Sequence, residues 1–390
     1  MMRIVLRRMA VALCAVVVGM TVVVGPVHAA PAADIYRVNL DSRPGTPGVI
    51  LLAPDDLLNN PAVPRVGGNS AHAPVELQVR TRAGKLLARH VIPDGQSAGN
   101  FQIQSYGGQR VYTWWQGTSK PGHGSGSYYI ADRDFRVLRT IRTPAGSSGD
   151  LHEFRILADG RAAVTSYAPV ATSVNGVPLR VIDSRFYIID IDSGRAEFSW
   201  SSLAHVPVAA NTTPWPVPGE GLDYFHINSI VADGSGNYLI SSRNTSALYL
   251  IDGTTGQVRW RLGGNNSTLR VEANATFANQ HDAEFLPDGS IRLFDNHAAV
   301  PAVGGGSSVL TVRPDFAHGV VRLVSRWEHP QRLTAWAMGN AQTLADGSVF
   351  GGWGTTGHIS QFDARGHLVY DANLSGTLTT YRAFFYPTGL

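Results

Sequence analysis

Apolar stretches of this chain break and reverse at Ala83-Gly84, Asp132–Asp134, Ser193-Gly194, Thr255-Gly256, His318-Gly319 and Arg365-Gly366, and the stretch after each break reads as a strand, often with a Trp. Measured from Gly84 through Asp134, Gly194, Gly256 and Gly319 to Gly366, the intervals are 50, 60, 62, 63 and 47 residues. A second set of turns falls between them, at Asp159-Gly160, Asp233-Gly234, Asp288-Gly289 and Asp346-Gly347, with Gly107-Gly108 in the equivalent earlier place. Glycine supplies the positive φ that a tight hairpin turn needs. Two hairpins per period make four short strands, which is one blade of a β-propeller. Six copies therefore predict an all-β chain, a six-bladed β-propeller with four-stranded antiparallel blades. A pair of β-sandwiches is the main rival, but it gives no reason for one turn chemistry to recur six times without a break in composition. A seventh blade follows only if the lead-in before the first repeat forms strands. Tyr381–Tyr386 is expected to be a strand that helps close the ring, and closure protects sheet edges.

The ends of the chain set the domain boundaries. Arg3, Arg7 and Arg8 precede an apolar run, and Val27-His28-Ala29 offers small residues where a signal peptidase cuts, so residues 1–29 read as a cleaved signal peptide. Residues 30–73 read as a Pro- and Gly-rich lead-in, and 74–390 as the propeller domain. The expected location is outside the cytoplasm, either extracellular or in the cell envelope, with no stable membrane span after cleavage. The whole chain has 32 basic and 29 acidic residues; losing three arginines with the signal leaves 29 of each. No basic patch points to nucleic acid. The single cysteine, Cys14, lies in the signal, which excludes disulfides, thiolate metal sites and cysteine nucleophiles from the mature chain.

In a propeller the first strand of each blade lines the central channel, so residues at equivalent strand starts meet near the axis. His152, His226 and His281 each stand seven residues before the aspartate of an Asp-Gly turn (152 to 159, 226 to 233, 281 to 288), and Asn340 precedes Asp346 by nearly the same offset. A single histidine in such a place is more often structural than catalytic. Three at one register, in repeats that otherwise diverge, have no packing reason to coincide. His226 and Asn228, two apart on a strand, are expected to face one side, and Arg243 ends the same hairpin. Arginine beside the imidazoles argues against a metal, since a fixed cation repels a dication. A tetrahedral oxyanion suits the set better: Arg gives a donor fork, Asn and protonated His add donors, and a neutral His can attack as a nucleophile. No glycine loop opens a helix, so no nucleotide donor is implied, and the residues call for no cofactor.

These residues carry a resemblance. Asp223–Ile230 through Ser241-Ser242-Arg243, Gln280-His281-Asp282-Ala283 through Phe294-Asp295-Asn296, and Thr255–Trp260 are similar to the bacterial aryl-sulfate sulfotransferases and their arylsulfotransferase-like relatives, six-bladed β-propellers. The resemblance runs over most of residues 74–386. It implies transfer of a sulfuryl group from a phenolic sulfate ester to a phenolic acceptor, without a nucleotide donor, through a transiently sulfated histidine. By motif the nucleophile maps onto His281, the family's His-x-Asn pair onto His226 and Asn228, its arginine onto Arg243, and a further histidine onto His152, where the family often has two adjacent histidines and this chain has Leu151-His152. The implied partners are a small phenolic sulfate donor and a phenolic acceptor; no feature sets an oligomeric state. Tyr224, Phe225, Trp215 and Trp336 are candidates to stack on the aryl ring, and Asn340 is a further binding candidate. The glycine usual after Phe-Asp-Asn is His297 here, which adds a fourth imidazole to the expected pocket.

Two other readings stand beside this one. The same face binds an anion or a protein partner without catalysis, or the propeller carries a quinone cofactor or hydrolyses lactones. The third rests on Gly256-x-x-x-Trp260, a spacing that does not recur in the other blades.

Overall fold

The computed structural model describes residues 34–56, 75–120, 122–297 and 306–387. The expected signal peptide lies outside them. Six small sheets make six blades, each with a four-stranded antiparallel core. Their inner strands are Thr379–Tyr386, Ser97–Tyr106, Phe154–Ile156, Ile227–Ala232, His281–Phe285 and Gln342–Thr343, in the order of blades 1 to 6. All six turns that set the period fall between the third and fourth core strands of successive blades. The Asp-Gly turns join inner to second strands in blades 3 to 6, and they repeat one local device. Oδ1 of Asp159, Asp233, Asp288 and Asp346 accepts from the backbone N–H two residues on, at 3.1, 2.7, 3.0 and 3.0 Å. That side-chain bond replaces a strand pairing and stops the ladder.

Blades 3, 5 and 6 carry more than four strands. Trp215–Val217 and Gly221–Asp223 extend blade 3, with Gly221–Asp223 running parallel to Val177–Asp190. Arg270–Val271 adds to blade 5, and Tyr36–Asp41 is the outermost strand of blade 6.

The lead-in expectation needs correction. Tyr36–Asp41 pairs with Leu368–Leu374 of blade 6, and Val49–Asp55 is the second strand of blade 1, between Thr379–Tyr386 and Glu76–Thr81. The boundary at residue 74 therefore falls inside blade 1. The lead-in does form strands, yet they complete the first and last blades and build no seventh. Prolines disguise the second of them: Val49–Ala53 is a short apolar run flanked by Pro47 and Pro54, and the ladder slips a register between Leu52 and Pro54. Both termini thus lock the ring, and the inner hairpin missing from blade 1 is explained, because its inner strand arrives from the far end of the chain.

Apolar faces pack between neighbouring blades. Phe186 and Trp200 of blade 3 meet Phe225, Tyr238 and Tyr249 of blade 4. Trp200 also donates Nε1–H to Gly256 O, 3.0 Å away, so one ring serves both packing and registry. Glycine is needed where blade 6 meets its own inner strand: a Cβ on Gly351 would lie 1.9 Å from Asn340 O. Gly351→Ala should lower stability by about 1–3 kcal/mol, the usual cost of overpacking, read as a lower denaturation midpoint. Among the described residues no helix is long and apolar enough to cross a membrane.

Candidate active site

At the mouth of the channel the inner strands do not begin as regular strands. His226 stands just before its strand with φ +65°, and Asn279, Asp282 and Met338 also adopt left-handed backbone. Such conformations are costly for residues with a Cβ and cluster at functional sites. His226 is held there by its N–H to Ser184 Oγ (3.0 Å) and by its carbonyl, which accepts from Arg243 N–H at 2.9 Å. The two ends of the hairpin therefore meet as the sequence implied.

They open into a cavity of about 210 Å³. His152, His226 and His281 line it together with Arg243, and Trp215 and Trp336 form one wall. The indoles are parallel, 6° apart in plane with centroids 5.9 Å apart, and the Arg243 guanidinium lies 5.4 Å from the Trp215 ring. Arg243 is 6% exposed. It donates to Asn244 Oδ1 and to the Trp336 carbonyl, at 2.8 and 3.1 Å, and among the described residues it pairs with no carboxylate. A buried guanidinium whose hydrogen bonds go only to neutral oxygens is chemically suited to an anion.

Each histidine is fixed through Nδ1. His152 Nδ1 lies 2.5 Å from Asp150 Oδ1, and His226 Nδ1 is 2.5 Å from Asp223 Oδ2. Burial works against the Asp150 charge, but attraction and hydrogen bonding to His152 outweigh it and hold that carboxyl at about 2. Burial wins at Asp223, which is pushed up to about 7 although His123, His152 and Arg243 pull the other way. Burial, then the charges of His152 and Arg243, hold His226 well below the ordinary imidazole range. Below about pH 7 the Asp223–His226 pair therefore keeps a proton between Oδ2 and Nδ1, which leaves an N–H on Nε2.

His281 differs. Its Nδ1 is 2.7 Å from Asn296 Oδ1 and 3.1 Å from the Asn279 carbonyl, and its Nε2 accepts from Met338 N–H at 3.2 Å. Burial and then Arg243 push its pKa well below the usual value, against the bond from Asn296. His281 is the neutral imidazole with its lone pair on Nε2. Tyr381, on the closing strand, lies edge-on to both His152 and His281, with ring centroids 5.6 and 6.4 Å away.

Several expected members stand elsewhere. Asn228 is fully buried and does not line the cavity; its Nδ2 donates to Gln280 O at 2.6 Å. It therefore holds the backbone beside His281. Tyr224 and Phe225 are wholly buried between blades 3 and 4. The Tyr224 hydroxyl donates to Val206 O, so neither ring can stack on a ligand. Asn340 ties blade 6 to the closing strand, donating to Ala383 O and accepting from the N–H groups of Gly352 and Ala383. His297 lies outside this cavity, 3.3 Å from Asp295, beside a separate hollow near Arg326.

The fourth cavity imidazole is His123, which the sequence did not suggest. It contacts Glu220 through Nε2 at 2.8 Å, and Lys120 pairs with the same carboxylate at 2.7 Å. Asp150 and Asp223 were also missed, although Asp150-x-His152 and Asp223-x-x-His226 put a carboxylate within reach of each ring in the sequence itself. Nothing in the local sequence marks His123.

Of the described residues, His329, His358 and Asp371 could together hold a metal ion, in the outer part of blade 6 away from the cavity. Asp371 Oδ1 already accepts from both rings and from Ser360, while Oδ2 accepts from Asn39. Gln331 N–H occupies His329 Nδ1, leaving the ring proton on the nitrogen that would have to bind the ion.

Among solved structures, a protein of unknown function from Bacteroides caccae is 14% identical, covers 85% of this chain and 97% of its own, and has a TM-score of 0.49. The β-propeller domain of Cps50 (Swd1) from Myceliophteria thermophila is 10% identical, covers 90% and 99%, and has a TM-score of 0.40. No curated protein matches the chain. The profile of one family does match, over residues 102–375. That span holds the four cavity imidazoles, Arg243 and both wall tryptophans. Since it takes in well over half of the sequence, the chain belongs to the arylsulfotransferase (ASST) family.

Proposed function

We propose that this sulfotransferase moves a sulfuryl group from a phenolic sulfate ester to a phenolic acceptor through a sulfated His281, with no nucleotide donor. One observation carries the reading: a buried guanidinium without a carboxylate and an imidazole with its lone pair on Nε2 face the same cavity. The Nε2 pair of His281 attacks sulfur, the bond from sulfur to the aryl oxygen breaks, and phenolate leaves. Arg243 and the Nε2–H of His226 hold sulfuryl oxygens as charge develops. Met338 N–H, released from Nε2 as the N–S bond forms, is left beside the same oxygens. His152, backed by Asp150, protonates the departing phenolate and later takes the proton of the acceptor phenol. The acceptor oxygen then attacks sulfur, and the N–S electrons return to Nε2, which gives ping-pong kinetics.

The signal-like N-terminus places the enzyme outside the cytoplasm in this reading. The test is direct. Protein incubated with 4-nitrophenyl sulfate should release nitrophenolate in proportion to added phenol and yield phenyl sulfate. Quenched enzyme should carry one acid-labile sulfuryl group on His281. Absence of both products and adduct would reject the reading in favour of a non-catalytic anion site.

The aryl ring is placed on the exposed face of Trp336, which is 39% exposed beside Trp215. Trp336→Ala should raise KM for the donor by about threefold to tenfold, the worth of one aromatic contact, and leave kcat nearly unchanged. The backbone carbonyl that receives Arg243 survives the substitution, so a large fall in kcat would contradict this role.

A further inference from the structure

Four imidazoles line the cavity, and three are backed by carboxylates: His152 by Asp150, His226 by Asp223 and His123 by Glu220. The exception is His281, whose partner is the fully buried amide of Asn296. The orientation of that amide is not in doubt, because its Nδ2 donates to the carbonyls of Ala335 and Met338, both at 2.9 Å. Oδ1 must therefore face the ring. With Oδ1 and the Asn279 carbonyl both at Nδ1, and an N–H pointing at Nε2, hydrogen-bond polarity permits one neutral tautomer, Nδ1–H.

We propose that Asn296 is the positioning residue that makes His281 the sulfuryl carrier, because its amide oxygen fixes Nδ1–H and cannot take that proton away. The inference rests on the sulfohistidine reading above and adds two consequences to it. Before transfer, a carboxylate in this place would favour the imidazolium, which has no lone pair to attack with. The surroundings work in the same direction as the amide. Arg243, His226 and His152 face His281 across the cavity, Tyr381 is edge-on to it, and the adjacent Asp282 is turned to Arg382 and the Ala341 N–H.

After transfer, the difference lies in the leaving group. Attack by Nε2 breaks the S–O bond and expels phenolate while the ring retains its Nδ1 proton. The intermediate is then an N-sulfo-imidazolium, positive on the ring and negative on the sulfuryl group. When the acceptor oxygen attacks sulfur, the N–S electrons return to a ring that becomes neutral, which favours departure. A carboxylate would accept the Nδ1 proton and leave a neutral sulfo-imidazole, a poorer leaving group. Amide backing thus keeps both half-reactions fast, whereas the carboxylate-backed histidines suit proton transfer and oxygen binding.

The experiment uses the full chain in two arms. Nitrogen-15 NMR of the histidine side chains, with His281 assigned by loss of its signals in His281→Ala, should show a neutral Nδ1–H tautomer down to pH 6. In Asn296→Asp the ring should titrate at least about one pH unit higher, as a nearby opposite charge commonly shifts a group by one to three. In burst kinetics with 4-nitrophenyl sulfate, the acidic limb of the first half-reaction should move up by the same interval. The sulfated Asn296→Asp enzyme should also transfer to phenol at least about tenfold more slowly, with Asn296→Ala losing rate but keeping the wild-type pH profile. An Nε2–H tautomer in the wild type, or an unmoved limb in Asn296→Asp, would overturn the inference. Wild-type protein that shows the expected tautomer and titration but no sulfuryl transfer supports the assignment to Asn296 and rejects the catalytic reading instead. If Asn296→Asp does not fold, the pH profile and transfer rate of Asn296→Ala carry the test, and an Nε2–H tautomer in the wild type still overturns the inference.

Discussion

His281→Ala should abolish sulfuryl transfer, with a fall in kcat on the order of 10⁴-fold or more, as expected when a nucleophile is removed from groups that act as a unit. Substrate should still bind, because Arg243, His226 and the tryptophan wall are untouched. The variant also leaves Asn296 Oδ1 without its imidazole donor in a fully buried place. That loss costs about 1–3 kcal/mol, so a lower denaturation midpoint is expected alongside the kinetic effect. The two must be separated by measuring donor affinity in the folded variant by calorimetry. Tight binding with no turnover and no sulfated protein would place the chemistry on His281. Turnover within about tenfold of wild type would exclude it. Asn228→Ala provides the contrast. As Asn228 bonds the Gln280 carbonyl and does not line the cavity, its loss should act through the placement of His281 and lower kcat far less.

How much of this was legible in the sequence differs between backbone and side chain. The blades were legible because Asp-Gly turns and their spacing are local signals, and the shared seven-residue offset did bring His152, His226 and His281 to one cavity. Asn340, whose offset is six and which precedes its strand Gln342–Thr343, bonds instead into the seam with Ala383. The pairing of His226 with Asn228 failed for a related reason. The i, i+2 rule holds within a strand, but the strand begins at Ile227 with an irregular register between Ile227 and Ser229, and His226 precedes it in left-handed backbone. Nothing in the residue types announces that conformation for a histidine. Tyr224 and Phe225 were misplaced by the same break in alternation. His123 sits at the tip of the hairpin between the second and third strands of blade 2, and Glu220 in the turn between Trp215–Val217 and Gly221–Asp223 of blade 3, so only the packing of two blades brings them together.

Arg382→Ala should destabilise the protein by about 3–5 kcal/mol, the usual cost of removing one partner from a buried ion pair. Arg382 lies on the closing strand, with its side chain 1% exposed. Its Nη1 reaches Glu153 Oε1 and Oε2 at 3.2 and 3.3 Å and Asp282 Oδ1 at 3.5 Å, and its Nη2 donates to Asn228 O at 2.7 Å. These three partners sit on blades 3, 5 and 4. They are also neighbours of the three site histidines: Glu153 follows His152, Asp282 follows His281, and Asn228 is two residues beyond His226. One guanidinium from the last strand therefore gathers the floor beneath each histidine, and ring closure and site geometry become a single event. Removing it leaves two carboxylates to repel each other where water cannot screen them. Arg382→Lys should recover only part of the loss, because a point charge cannot span three partners as a planar fork does. Arg382→Met with Glu153→Gln should recover part of the loss by removing the unpaired Glu153 charge. It should not recover all of it, because the Phe154 and Ile230 N–H groups bond to different carboxylate oxygens and one amide oxygen can accept from only one of them. Denaturation midpoints in urea check the series. Activity should fall with stability in Arg382→Ala, because the three histidines lose their common anchor even while the chain is folded. A loss below about 1 kcal/mol, the scale of an exposed ion pair, with unchanged kcat would show that the closing strand is held by its ladder and apolar faces, and that the site does not depend on how the ring is sealed.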